Sequence, residues 1–124
     1  MLDTVGKARR VKAYQTGLLA EDHAAAMLAE RGYNILSRRF RSPAGEIDLV
    51  ASNGARLSFV EVKARRTLDE AAWSVTPRQQ RRIAEAAGFW LQTFPHYGDQ
   101  DITFDAILIA PRQRSEYIPD AFRV

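Results

Sequence analysis

The pair Asn53-Gly54 constrains the fold of this 124-residue chain more than any other feature of its sequence. Asn-Gly between two segments of alternating apolar residues is the strongest short-range signal for a β-hairpin, because both residues tolerate a positive φ. We therefore predict antiparallel strands over residues 46–51 and 56–62. Both alternate sets of side chains in these strands are largely apolar, so we expect other structure to cover both faces of the sheet.

Helical and strand patterns flank this hairpin. Apolar residues recur at helical spacing up to Gly32, a typical C-terminal cap, and again after Thr76-Pro77, a typical helix start. A strand that is reached through a long helical crossover is expected to lie parallel to its neighbour. We predict one α/β domain over residues 16–124, preceded by a basic arm over 1–15. Its elements are a helix over 16–31, strands over 33–41, 46–51 and 56–62, a connection over 67–75, a helix over 77–94, a strand over 102–109 and a short edge strand over 116–118.

The composition excludes several classes of protein. The chain has no cysteine, which excludes disulfides, thiolate nucleophiles and thiolate zinc sites. Any metal must then be held by oxygen ligands or by the two histidines, which favours a hard ion such as Mg²⁺. No stretch approaches the roughly 18–20 uncharged apolar residues of a membrane span, and no signal-type apolar block follows the N-terminal cations. We therefore expect a soluble, cytoplasmic protein.

Basic residues occur in blocks, although the formal net charge is only +3. Clustered arginines are typical of surfaces that contact the phosphates of a nucleic acid. Solvated surface charge explains any single block equally well. The candidate contacts to nucleic acid are Arg39, Arg41, Arg65, Arg66, Arg78 and Arg82.

Four charged residues on the hairpin form the candidate reaction centre. If the Asn-Gly pair is the centre of a type I′ turn, Asp48 lies opposite Phe59 and Glu46 opposite Glu61. Because alternate residues of a strand share a face, these three acids and Lys63 then project together. Asp48 and Glu61 are diagonal neighbours in this register, with side chains that start roughly 7–8 Å apart. Their carboxylates can close that distance around Mg²⁺.

Each of these residues also has a purely structural explanation. Glu61 and Lys63 can be an ordinary exposed ion pair, worth at most about 1 kcal/mol. However, the apolar residues around them indicate a buried strand, where ionisable groups are costly unless they are paired or bind a metal. Glu21 lies on the inward stripe of the first helix and can reach the same site, or it is a first-turn acid in water. Gln79 is explained by a capping box, and Asp105 is mainly expected to be structural.

A set of short motifs spans roughly residues 17–122, and together they are specific. The motif residues are Gly17, Glu21, Ala24, Gly32-Tyr33, Gly45-Glu46-Ile47-Asp48-Leu49, Phe59-Val60-Glu61-Val62-Lys63, Val75-Thr76, Phe104-Asp105 and Ala121-Phe122. On these residues the sequence resembles the YraN-like bacterial family of unassigned function. That family is similar to archaeal Holliday-junction resolvases within the PD-(D/E)XK nuclease superfamily.

The resemblance implies a restriction-endonuclease-like fold of three layers, with a central mixed sheet of about five strands between helices. It assigns Asp48, Glu61 and Glu21 as ligands of Mg²⁺ or Mn²⁺. It also assigns Lys63 as the residue that orients or activates water. The sequence departs from the family pattern at Gln79, where relatives usually have lysine.

Metal-dependent hydrolysis of phosphodiesters in DNA is the leading functional hypothesis. The enzyme would then be a magnesium-dependent endodeoxyribonuclease or resolvase-like protein, and a homodimer is compatible with this reading. Two alternatives stay open. A non-catalytic nucleic-acid-binding module would keep the fold and the basic surface without cleavage. A protein-interaction scaffold would use the charged cluster as a structural ion-pair network, with Trp73 and Trp90 as candidate anchors.

Overall fold

The computed structural model describes residues 17–123, so the predicted basic arm over 1–15 lies outside the described residues. Strands dominate the middle and the end of the chain, and helices separate them. The elements are helix α1 over residues 17–30, strands β1 (Asn34–Ser42), β2 (Gly45–Ser52) and β3 (Arg56–Ala64), helices α2 (Leu68–Trp73) and α3 (Pro77–Thr93), a 3-10 turn (Pro95–Asp99), and strands β4 (Asp101–Ile109) and β5 (Glu116–Phe122).

The five strands form one mixed sheet in the order β1-β2-β3-β4-β5. Neighbouring strands are antiparallel except β3 and β4, which are parallel. The predicted hairpin and the predicted parallel pairing after the helical crossover are both confirmed. No helix within residues 17–123 is long and apolar enough to cross a membrane.

Helices α1 and α3 cover opposite faces of the sheet. Phe59 packs with Trp90 of α3 in one buried cluster, whereas the next residue of β3, Val60, packs with Leu28 of α1 in another. Successive side chains of a strand point to opposite faces, so the molecule has three layers. The predicted α/β architecture with a covered sheet of about five strands is therefore confirmed.

The turn of the β2–β3 hairpin differs from the predicted type I′ turn. Ser52 pairs with Leu57 instead of Ala55, so four residues, 53–56, separate the last paired residues of the hairpin. The Asn53 side-chain oxygen accepts hydrogen bonds from the N–H groups of Ala55 at 3.0 Å and Arg56 at 2.7 Å. The asparagine thus closes the loop with its side chain, as asparagine commonly does in turns. The register moves by two residues, and an even shift leaves paired side chains on their predicted faces.

Helix α2 occupies the stretch that was predicted to be a connection, and this prediction is wrong. Six residues are too short to show a helical period in the sequence. The helix exists because the Thr67 Oγ1 accepts the Glu70 N–H at 3.1 Å and because Ala71 is buried against β4. The Thr-x-x-Glu pattern was the available signal. Strand β5 likewise runs further than predicted, through Pro119 and a positive φ of 52° at Asp120.

Candidate active site

The candidate site lies where strands β2 and β3 stop pairing. The last paired residues are Leu49 and Val60. Beyond them Asp48 Oδ2, instead of a main-chain carbonyl, accepts the Val62 N–H at 2.8 Å. The alternation of β2 breaks at the same point, since Ile47 packs in the α3 cluster and Leu49 in the α1 cluster. Ile47 and Leu49 therefore lie on opposite faces of the sheet, whereas alternate residues of a regular strand share a face.

Carboxylates from α1 and β2 converge at this break in the ladder. One oxygen each from Glu21, Glu46 and Asp48 lies within 4.8 Å of the other two. Mg²⁺ holds oxygen ligands at about 2.0–2.1 Å, so two ligands on opposite sides of the ion are about 4.2 Å apart. Carboxylate oxygens are the donors that a hard cation prefers, and small side-chain movements would bring all three onto one ion. The donor set therefore fits a hard divalent cation.

Glu61 and Lys63 form an ion pair beside this cluster. Their side chains lie two residues apart on β3, and Lys63 Nζ is 2.9 Å from Glu61 Oε1. Each side chain is only 10% exposed. The alternative of an ordinary exposed pair is therefore wrong. A buried pair is weak evidence for stability, because desolvation offsets much of its attraction, so its position next to other acids requires a different explanation.

Burial and the neighbouring acids make ionisation of Asp48 unfavourable. Burial, with the nearby carboxylates of Glu61 and Glu21, raises the pKa of Asp48 from 3.8 to about 8. The Val62 N–H and the Lys63 charge oppose this rise. At neutral pH and without a cation, Asp48 therefore holds a proton.

Arginines from the edge strand β1 neutralise two other acids of the cluster. Arg39 Nε donates to both oxygens of Glu21, at 2.8 and 3.0 Å, and Arg41 lies 3.5 Å from Glu46. The Arg39 backbone has a φ of 49°, a left-handed conformation that costs an L-residue about 1–2 kcal/mol. Because of it, the consecutive side chains of Arg38 and Arg39 both reach acids of α1. Local strain of this kind is typical of functional sites.

The protonation of Asp48 predicts how stability changes with pH. The folded protein holds this proton between pH 3.8, the ordinary pKa, and about 8, whereas the unfolded chain releases it. The contribution of this group to stability is thus fully present below pH 3.8 and is lost as the pH rises towards 8. The Asp48→Asn variant cannot release a proton. As the pH rises, the free energy of unfolding of the variant should therefore increase relative to that of the wild type, by up to about 1.4 kcal/mol per pH unit.

Urea unfolding in EDTA at about pH 5 and about pH 8 measures this difference. The variant at the exposed neighbour of Glu21, Asp22→Asn, should show no such gain. A difference between wild type and Asp48→Asn that is equal at the two pH values would contradict the assigned environment of Asp48.

The other arginines predicted to contact nucleic acid lie outside the acid cluster. Arg65 donates to its neighbour's carbonyl, and Arg66 is paired with Glu70 at 3.2 Å. Arg78 and Arg82 line an open concavity with the β1–β2 turn. The structure thus brings together Glu21, Glu46, Asp48, Glu61 and Lys63, while the contacts to nucleic acid stay predictions.

Asp105 and the candidate anchor Trp90 occupy structural positions, and the predicted cap at Gln79 forms in part. Asp105 is fully buried and accepts hydrogen bonds from Ser58, Tyr117 and the Asp120 N–H. Trp90 is fully buried and donates to Ser37 Oγ at 2.9 Å, whereas Trp73 is 84% exposed. Thr76 Oγ1 caps the Gln79 N–H at 3.2 Å, but Gln79 Oε1 has no hydrogen-bond partner among residues 17–123. The capping box is therefore only half formed.

Comparison with known proteins assigns the chain to a family. The model of the family described as "Uncharacterised protein family UPF0102" matches residues 20–109. The chain belongs to this family. A UPF0102 protein of Rhodopseudomonas palustris strain BisA53 is 54% identical over 113 residues, which cover 91% of this chain and 87% of that protein. A UPF0102 protein of Bradyrhizobium sp. strain BTAi1 is 53% identical, with 91% and 83% covered.

Membership of UPF0102 confirms the resemblance to the YraN-like family that the motifs predicted. Among solved structures the chain is similar to Hjc of Archaeoglobus fulgidus, a Holliday junction resolvase from an archaeal hyperthermophile. The similarity covers 80% of this chain and 72% of that chain, with 22% sequence identity and a TM-score of 0.47.

Proposed function

We propose that this UPF0102 protein is a divalent-metal-dependent endonuclease that hydrolyses phosphodiesters of DNA. The observation that carries the proposal is the convergence of Glu21, Glu46 and Asp48 within 4.8 Å, beside the buried Glu61–Lys63 pair. Acids that are held together at a cost to the folded state are expected where they bind a cation. Asp48 and Glu21 are the central ligands in this proposal, with Glu61 contributing through the oxygen that Lys63 does not occupy and Glu46 as a further donor.

Mg²⁺ or Mn²⁺, when bound, would supply Lewis-acid stabilisation of the phosphoryl oxygens and a lowered pKa for water. The protein's own groups would do the rest. The Lys63 ammonium would donate to the attacking water or to a phosphoryl oxygen, where negative charge increases during attack. Arg39 would orient the Glu21 carboxylate through its two contacts.

Incubation of the purified protein with labelled DNA tests the proposal. A four-way junction, a linear duplex and a single strand should each be compared with Mg²⁺, with Mn²⁺ and with EDTA. We expect metal-dependent nicking that Glu21→Gln reduces strongly and Asp22→Asn leaves unchanged. The second variant is the matched control, because Asp22 is adjacent in sequence but exposed and paired with Arg38. Nicking that persists in EDTA or in Glu21→Gln would refute the proposed site.

Two observations favour a second candidate function, binding of nucleic acid without cleavage. They are the half-formed capping box at Gln79 and the basic surface. A non-catalytic module of the same fold would bind nucleic acid with a strong salt dependence and would not cleave it. Binding by the wild type together with no nicking of any substrate, in either metal, would favour this module.

A further inference from the structure

The arginines at the start of α3 form a group of exposed cations along one wall of a concavity. Arg78, Arg81 and Arg82 are exposed, and within residues 17–123 no carboxylate lies within 4.0 Å of any of them. Glu85 follows Arg82 by three residues and Arg81 by four, which is the spacing of helical ion pairs. It lines the same concavity but forms an ion pair with neither arginine. Among other exposed arginines, Arg38, Arg66 and Arg123 are paired with an acid, whereas Arg65 donates to a main-chain carbonyl.

Grouping these arginines is unfavourable for the helix itself. Arg78 and Arg82 are like charges at i,i+4, and the first turn of α3 contains no acidic residue to balance the positive end of the helix dipole. No acid within the described part of the chain lies within ion-pair distance of these arginines. A bound anion would reduce the repulsion between them.

The concavity that these arginines line also has the size and position for part of a nucleic acid chain. Its volume is about 640 Å³, and its other wall is the β1–β2 turn from Ser42 to Gly45. Ser42 Oγ fixes this turn by accepting from the N–H groups of Ala44 and Gly45, both at 3.2 Å. A space of this size accommodates more than a single ion.

The same turn connects the concavity to the acid cluster. Gly45 lines the concavity, and the next residue, Glu46, contributes an oxygen to the cluster. Gly45 has a φ of 141°, which strains any other residue, and a Cβ there would lie 3.9 Å from the Cβ of Arg82. Helix α3 therefore packs directly against the turn that positions Glu46.

We propose that Arg78, Arg81 and Arg82 with the β1–β2 turn form a groove for the phosphate backbone, which holds the substrate strand on one side of the scissile phosphodiester. The inference rests on the proposed function in one respect, that a phosphodiester beside the groove is cleaved. Binding in the groove itself requires no cleavage. Guanidinium groups bind phosphate oxygens in a bidentate manner without reading bases, so the groove is sequence-tolerant and supplies affinity rather than chemistry.

Fluorescence anisotropy of a labelled single strand and its duplex, in EDTA over a series of salt concentrations, tests the groove. The variant Arg81→Gln/Arg82→Gln should bind roughly tenfold or more weakly at low salt. The slope of log K against log salt should fall by about 1.4 for the single strand or 1.8 for the duplex. The midpoint of thermal unfolding should be no lower in this variant than in the wild type, because like charges have been removed from α3.

The matched control is Arg31→Gln/Arg56→Gln, which removes the same charge far from the site. Arg31 lies roughly 15 Å along α1 from Glu21, and Arg56 roughly 23 Å along β3 from Lys63. This control should bind like the wild type. Equal losses in the two double variants, or an unchanged salt slope in Arg81→Gln/Arg82→Gln, would overturn the groove.

Cleavage measured separately distinguishes the groove from the proposed function. At saturating substrate with Mn²⁺, the Arg81→Gln/Arg82→Gln variant should keep its turnover within about threefold while KM rises, because uniform binding is lost. If no protein cleaves but the difference in binding persists, the endonuclease proposal fails and the groove stands. A fall in turnover with unchanged binding would overturn the groove.

Discussion

The Asp48→Asn variant is expected to cleave DNA on the order of 10³-fold more slowly than the wild type, or not at all. Asp48 is the acid that the geometry links to every other member of the site. It lies within 4.8 Å of oxygens from Glu21 and Glu46, and the charges of Glu61 and Lys63 both act on its pKa. Asparagine keeps the shape of the side chain and can still accept a hydrogen bond from the Val62 N–H, but it cannot supply a negatively charged ligand. The variant should therefore fold and fail to bind the cation.

Comparison with Lys63→Met separates metal binding from chemistry. The methionine variant should also lose cleavage, but it should still bind Mn²⁺, because the lost ammonium competes for Glu61 and repels a cation. Thermal melting with and without millimolar Mn²⁺ gives the readout, since a ligand that binds only the folded state raises the midpoint. Asp69→Asn, an exposed acid on α2, is the control for both measurements. Cleavage by Asp48→Asn at the wild-type rate would end the proposed mechanism.

The Asp105→Ala variant is expected to lose about 3–5 kcal/mol of stability, the largest loss that we predict for a residue outside the active site. Asp105 is fully buried on β4 and accepts from Tyr117 Oη at 2.6 Å, the Asp120 N–H at 2.7 Å and Ser58 Oγ. Removal of the carboxylate leaves three donors without their acceptor, and of these Ser58 is fully buried and Tyr117 is half-buried. Burial and the bond to Asp105 also raise the pKa of Tyr117, so this phenol remains a donor throughout the accessible pH range.

Urea unfolding at neutral pH measures this loss. The control is Asp101→Ala at the start of the same strand, where the side chain is exposed; it should change stability by less than about 0.5 kcal/mol. Asp105→Asn should lie between the two, because one amide oxygen still accepts. A loss below about 1 kcal/mol in Asp105→Ala would show that the network does not hold β5 to the sheet.

The hairpin and the site residues follow from the sequence because they depend on local rules. Asn53-Gly54 fixes a turn, and the period of two then determines which side chains share a face. An error of two residues in register leaves the faces of residues 49–52 as predicted. Asp48 and Glu61 come together although the predicted turn type is wrong and the alternation of β2 breaks at Asp48. The helical crossover to β4 is equally predictable, because chain connection limits the topology.

Features that depend on contacts between distant segments could not be predicted. The contact of Arg39 with Glu21 joins an edge strand to α1 through a left-handed residue, and no sequence pattern marks a positive φ at an arginine. The proximity of Glu46 to Glu21 depends on how α1 docks on the sheet. The burial that raises the pKa of Asp48 is likewise a property of the assembled site. Helix α2 was missed because its stability comes from a cap and one buried alanine.

A crystal soaked in Mn²⁺ and measured for anomalous scattering tests the central claim, that these acids form a metal site. We predict one anomalous peak about 2.2 Å from Asp48 Oδ1, with Glu21 and at least one of Glu46 and Glu61 as further oxygen ligands. The peak should be absent in crystals of Asp48→Asn. Wild-type crystals at millimolar Mn²⁺ with no peak at Asp48, and with the Glu21–Arg39 and Glu61–Lys63 contacts unchanged, would contradict the account.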